Sequence, residues 1–112
     1  MIYNKLVRDK IPEIIARQGK HVTFRALKGE ELKKALKEKL IEETQELVNA
    51  ETQEQIIEEM ADVQEVLQTM RLVLTKPYIT TLDLDDVRNE KQKEKGGFEK
   101  GYFLESVEED EQ

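Results

Sequence analysis

Leu32, Leu36, Leu40, Glu43 and Leu47 follow one another at steps of four, four, three and four, the spacing of a single helical face. Ile56, Glu59, Val63, Val66 and Met70 repeat that helical spacing further along the chain. The two rows predict two long helices, one from about Glu30 to Val48 and one from about Glu51 or Glu54 to Leu74, stopped before Pro77. The connection between them is short, which makes them antiparallel neighbours. Two shorter helices are expected on either side. The first is capped by Asp9, carries Pro12 in its first turn and runs through Ile14, Ile15 and Ala16 to Gly19. The last is capped by Thr81, runs from Leu82 to Lys95 and ends at a Gly96–Gly97 C-cap, with Phe98 tucked onto the core. The segment 21–27 alternates weakly, and Tyr102-Phe103-Leu104 reads as a short extended piece. The expected class is therefore all-α, a bundle of about four helices, with a minor β pairing of segments 21–27 and 102–107 as an optional addition.

Each apolar row is interrupted by an acid. Glu43 occupies a stripe position on the first long helix, with Glu46 one residue off its centre, and Glu59 does the same on the second, with Asp62 beside it. Members of each pair are three residues apart and share a face. An unpaired buried carboxylate is costly, so two facing helices that turn such pairs inward require a compensating cation. The ordinary alternative is a solvated acidic face with ion pairs such as Lys39–Glu43. Phase counts against it: Glu38 and Glu42 can lie outward, whereas Glu43 and Glu59 fall inside otherwise apolar rows.

Composition narrows which cation. The chain has no cysteine and a single histidine, His21, so thiolate-held zinc and a histidine-rich site are excluded. Oxygen ligands favour Mg²⁺, Mn²⁺ or Ca²⁺. Nothing acidic lies near His21 in sequence to orient it, so a surface or strand position is expected rather than a catalytic base. The 112 residues suggest one domain, 1–112, whose end, 105–112, is a solvated and flexible acidic tail. The formal charge of −7 argues against a nucleic-acid polymer as partner. No stretch has the length of a membrane span and the start lacks a signal-peptide core, so a cytoplasmic protein is the expectation.

Taken together, the segments carry a resemblance. Glu42-Glu43-x-x-Glu46 followed by Glu59-x-x-Asp62 resembles the motif of the MazG-like all-α nucleotide pyrophosphohydrolases, a superfamily that includes phosphoribosyl-ATP pyrophosphohydrolase and dimeric dUTPases. The opening Tyr3-Asn4-Lys5-Leu6-Val7-Arg8-Asp9-Lys10-Ile11-Pro12 is similar to that of its small house-cleaning branch, the one related to phosphoribosyl-ATP pyrophosphohydrolase. The closing Arg88-Asn89-Glu90-Lys91-x-x-x-x-Gly96-Gly97-Phe98-Glu99 is similar to that branch as well. Three separated motifs in order are far more specific than the acidic motif alone.

The resemblance implies Mg²⁺, or Mn²⁺ in its place, held by Glu43, Glu46, Glu59 and Asp62. It implies hydrolysis of a nucleoside triphosphate between the α and β phosphates, giving a monophosphate and pyrophosphate, as house-cleaning of non-standard nucleotides. A carboxylate not fully committed to the metal would accept the proton of the attacking water, with Glu46 or Glu42 as the candidates. Glu42 equally suits an exposed structural role. Substrate contacts are expected from Lys39, from Arg8 and Lys10, and from the fourth helix. There Arg88, Lys91 and Lys95 form one basic face and Asn89 is placed for base or sugar. Competing structural roles are a helix ion pair for Lys39, packing and capping around Asp9 for Arg8 and Lys10, and a solvated face for the basic row. Related families form dimers or tetramers, and the run Leu72-Val73-Leu74 hints at burial on more than one side, so a homo-oligomer is expected. Two other readings compete with the enzyme: a catalytically silent helical module that binds a nucleotide or partner, and a bundle in which metal serves only stability. A silent relative would be expected to lose one of the four acids, and this chain keeps all four.

Overall fold

The computed structural model describes residues 1–75 and 83–109. Among them the chain forms four helices and no strand, an all-α bundle as its periodicity predicts. It divides into two compact units, Met1–Lys76 and Pro77–Gln112. The first holds α1 (Ile11–Arg17), α2 (Gly29–Asn49) and α3 (Gln53–Leu74), and the second holds α4 (Leu84–Lys95).

In the first unit, α2 and α3 pack against each other as a hairpin closed by Ala50, Glu51 and Thr52. The turn is specified locally. Thr52 accepts a hydrogen bond on its hydroxyl from the Gln55 backbone N–H at 3.1 Å, and the Gln55 side-chain oxygen accepts in return from the Thr52 N–H at 3.3 Å. This reciprocal capping box satisfies two N–H groups that a helix start otherwise leaves open. It fixes the first residue of α3 two positions beyond the earlier of the two expected starts, Glu51.

The register follows from the turn. Glu43 lies six residues before the end of α2 and Glu59 six residues after the start of α3, so the hairpin sets them at one level. Leu36 and Val66 lie thirteen residues from those same ends, two turns deeper in the hairpin. Leu36, 2% exposed, and Val66, 8% exposed, are the buried hydrophobic residues of the described chain. Around them Leu32, Leu40, Leu47, Val63 and Met70 are half-buried.

The N-cap of α1 differs from expectation. α1 begins at Ile11 with Lys10 in the cap position and no side-chain cap, so Asp9 does not play that role. The helix is held instead by Pro12, whose fixed φ suits the first turn, and by an Arg17–Glu13 ion pair one turn apart. α4 is capped by Asp83, whose carboxylate accepts from the Asp85 and Asp86 N–H groups at 2.9 and 3.4 Å. The described helix begins at Leu84. Thr81, Leu82, Pro77 and the last three residues of the acidic tail lie outside the described residues.

Gly96 does close α4. Its N–H donates to the Gln92 carbonyl at 2.8 Å and its φ is +82°, a conformation a side chain would strain. Phe98, expected on the core, is exposed, because beyond the positive-φ Gly96 the chain turns at 98–101, where the Gly101 N–H donates to the Phe98 carbonyl. Neither segment of the optional β pairing is a strand. In 21–27 the covered apolar residues are Val22 and Leu27, five apart, a separation that a strand places on opposite faces, while Phe24 is exposed. The segment is tied down by Arg25, which donates to both carboxylate oxygens of Glu31 on α2, at 2.8 and 3.5 Å. No helix among the described residues is long and apolar enough to cross a membrane.

Candidate metal centre

The level of the hairpin nearest its turn is acidic. Glu43, Glu46 and Glu59 each direct one carboxylate oxygen to a common point, the three lying within 4.8 Å of one another. Glu43 is buried at 7% exposure, Glu59 is half-buried and Glu46 is exposed, so the cluster runs from the helix interface out to solvent. Glu43 and Glu46 come from α2 and Glu59 from α3.

Part of the charge is compensated from within. Lys39, one turn before Glu43, places its ammonium 3.3 Å from Glu43 Oε1 and 3.4 Å from Glu42 Oε1. Its side chain is largely covered, which strengthens the contact relative to a surface pair. Lys39 thus takes the role of a helix ion pair, at the rim of the acid cluster. Glu42 is held outward by it and is not among the three converging acids.

The compensation is incomplete. Glu43 Oε2 and Glu59 Oε2 are both shut off from solvent and neither has a hydrogen-bond partner. A carboxylate left in that state is expensive, and one way to reduce the cost is to keep a proton. The Glu59 carboxyl is held above the ordinary carboxylate range, first by removal from water, then by a hydrogen bond with Glu46 and the charges of Glu46, Asp62 and Glu43. A cation bound among the three would relieve the same cost. Oxygens on one hard divalent ion at about 2.0–2.6 Å stand up to about 4–5 Å apart, so the observed spacing suits a shared ion with little adjustment. Glu43, Glu46 and Glu59 could therefore hold a metal ion between them.

Asp62, the fourth acid expected here, is differently engaged. It follows Glu59 on the same face of α3, but its Oδ1 accepts a hydrogen bond from Arg8 Nη2 at 2.7 Å. Arg8 comes from the segment before α1, 54 positions away in sequence, and that partnership has no signature in either helix's periodicity. The ion pair lies at the surface, with the Arg8 side chain 58% and the Asp62 side chain 38% exposed. Lys10 is exposed at the start of α1.

The remaining residues expected in a substrate site, Arg88, Asn89, Lys91 and Lys95, all lie on α4 in the second unit and are exposed. The three cations occupy one face of that helix by their spacing of three and four. His21 is exposed in the irregular segment before α2. Comparison of the chain with protein-family models, with curated proteins and with solved structures gives no match.

Proposed function

We propose that the protein is a divalent-metal-dependent nucleotide pyrophosphohydrolase of the MazG-like kind, with Mg²⁺ or Mn²⁺ held by Glu43, Glu46 and Glu59 and completed by Asp62. One observation carries this reading: a buried carboxylate, Glu43, has an oxygen without a partner in a cluster where two further acids converge. A helix pair needing only stability would place an apolar residue there, as it does at Leu36 and Val66 two turns deeper. The motifs read from the sequence support the same assignment, since the acids selected by helical phase are the ones the resemblance names.

When bound, the metal would neutralise phosphate oxygens and acidify a coordinated water. The chain's own residues supply the rest. Glu43 is fixed by Lys39 and by burial, so it is the invariable ligand of the set. Glu46 is the ligand of the set most open to solvent, so a carboxylate oxygen it does not commit to the metal is suited to accept the proton of an attacking water. Glu42, tied to Lys39 at the rim, positions that lysine rather than the water. Within the first unit, Lys39, Arg8 and Lys10 are the candidates for phosphate. A house-cleaning role on non-standard nucleotides follows from the branch that the opening and closing segments resemble. The same reading includes self-association into a dimer or tetramer.

The deciding experiment is pyrophosphate release from ordinary, deoxy and oxidised nucleoside triphosphates and from phosphoribosyl-ATP, with Mg²⁺ or Mn²⁺ and with chelator. Metal-dependent formation of pyrophosphate and a monophosphate from any of them is the expected result. Folded, metal-loaded protein that consumes none of them would leave a binding module. A chelator effect confined to thermal stability would mark the metal as structural.

A further inference from the structure

Four acids are in place for a metal, yet only three of them converge, and the fourth is held by a cation from elsewhere in the chain. We propose that the Arg8 guanidinium is an exchangeable counter-ion of Asp62, occupying that carboxylate while the metal is absent and giving it up when the metal binds. This rests on the metal reading of the acid cluster given above.

Three features of the geometry point to exchange rather than a permanent clasp. The contact is a single hydrogen bond from one Nη to one Oδ at 2.7 Å, and Oδ2 is left over. Both side chains are substantially open to water, so each can leave without stranding a buried charge. Asp62 follows Glu59 by three residues on α3, so the two carboxylates share a face of that helix and Asp62 stands beside the cluster. The carboxylate therefore has a choice of two cations, a guanidinium at the surface or an ion among the acids. A divalent ion shared with Glu43, Glu46 and Glu59 draws on more negative charge than one guanidinium can. The exchange also has a product: an unpaired guanidinium at the rim of a loaded site, where an anionic oxygen of a bound phosphate is the partner that suits its planar fork.

Such competition makes a quantitative prediction. An exposed ion pair is worth little, so freeing Asp62 by Arg8→Gln should tighten Mn²⁺ binding about two- to fivefold. Loss of a positive charge near the site would also tighten binding through the general field, and a double-mutant cycle separates the two effects. If Arg8 competes for Asp62, the gain from Arg8→Gln is present in the native background and largely vanishes in Asp62→Asn. Binding of Mn²⁺ alone, without nucleotide, is followed by its paramagnetic resonance signal or by calorimetry. In the unaltered protein the side-chain N–H resonances of Arg8, slowed by pairing with Asp62, should exchange faster with water as Mg²⁺ is added. An equal gain in both backgrounds, no gain, or Arg8 resonances unchanged at saturating Mg²⁺ would overturn the exchange while leaving the metal site standing. No Mn²⁺ binding by the unaltered protein would overturn the metal reading itself, and this inference with it.

Discussion

Glu59 is where sequence, geometry and ionisation meet. Its position in an apolar row marked it, and the folded chain places one oxygen out of reach of any donor and holds its carboxyl above the ordinary range. The consequence for stability has a definite sign. Below the usual carboxylate value of 4.5 the residue is protonated folded or unfolded and contributes nothing. As pH rises past that value the unfolded chain releases a proton that the folded chain still binds, so metal-free stability falls, and the loss is complete above the raised value. Glu31, lowered by its hydrogen bond and charge pairing with Arg25, acts in the opposite sense and loses its contribution as pH falls. Glu59→Gln isolates the first effect. The metal-free variant should melt higher than the unaltered protein at neutral pH, and the difference should shrink on acidification to the ordinary carboxylate range. The same variant should lose Mn²⁺ affinity by more than the roughly 10–100-fold that removal of a supporting partner costs. A variant that melts lower at neutral pH and keeps its affinity would show Glu59 to be an ordinary surface acid.

At the scale of elements, apolar periodicity located the two long helices to within a residue or two, because their packing depends on that row. It did not locate the caps, which depend on which polar side chain reaches a backbone N–H. Thr52-x-x-Gln55 is a readable capping-box pattern, but Glu51 and Glu54 on either side offered equally plausible starts. Asp83 caps α4, and Lys10 stands in the cap position of α1 where Asp9 was expected, with Pro12 in the first turn. The acids were legible for the same reason as the helices: they break the period. The tie between Arg8 and Asp62 was not, because a pairing 54 positions apart leaves no period to read. The turn matters to the site, since it sets Glu43 and Glu59 at one level. Thr52→Ala should cost about 1 kcal/mol of stability in chemical denaturation through loss of the cap. It should also weaken Mn²⁺ binding more than an equally destabilising change at the far end of α3, because the start of that helix carries the register of the acids. Equal effects on binding would separate the turn from the site.

For the molecule as a whole, the apolar residues left uncovered are as informative as the few that are buried. Ile41 and Val48 on α2 are 70% and 74% exposed, one heptad apart on one face, and Leu72 on α3 is 68% exposed. On α3, Ile57, Met60 and Leu67, at steps of three and seven, are exposed as well, so each helix of the hairpin keeps apolar residues beside the row that meets its partner. Two helices with apolar residues on more than one side have a use for another helical surface, and a second copy of the chain is always present to supply it. Self-association also bears on the site, because rigid flanking helices would hold Glu43 and Glu59 at one level against the mutual repulsion of their charges. Light scattering should accordingly give twice or four times the 13.1 kDa of one chain, with a melting temperature that climbs with protein concentration. Ile41→Glu together with Val48→Glu should lower the mass towards one chain and remove the concentration dependence. Those side chains lie on the outer face of α2, so their replacement leaves the acid cluster chemically intact, and any accompanying loss of Mn²⁺ affinity measures how far assembly stiffens the centre. A mass of one chain at every concentration would mean that the hairpin stands without a partner and that its outer rows are simply solvated.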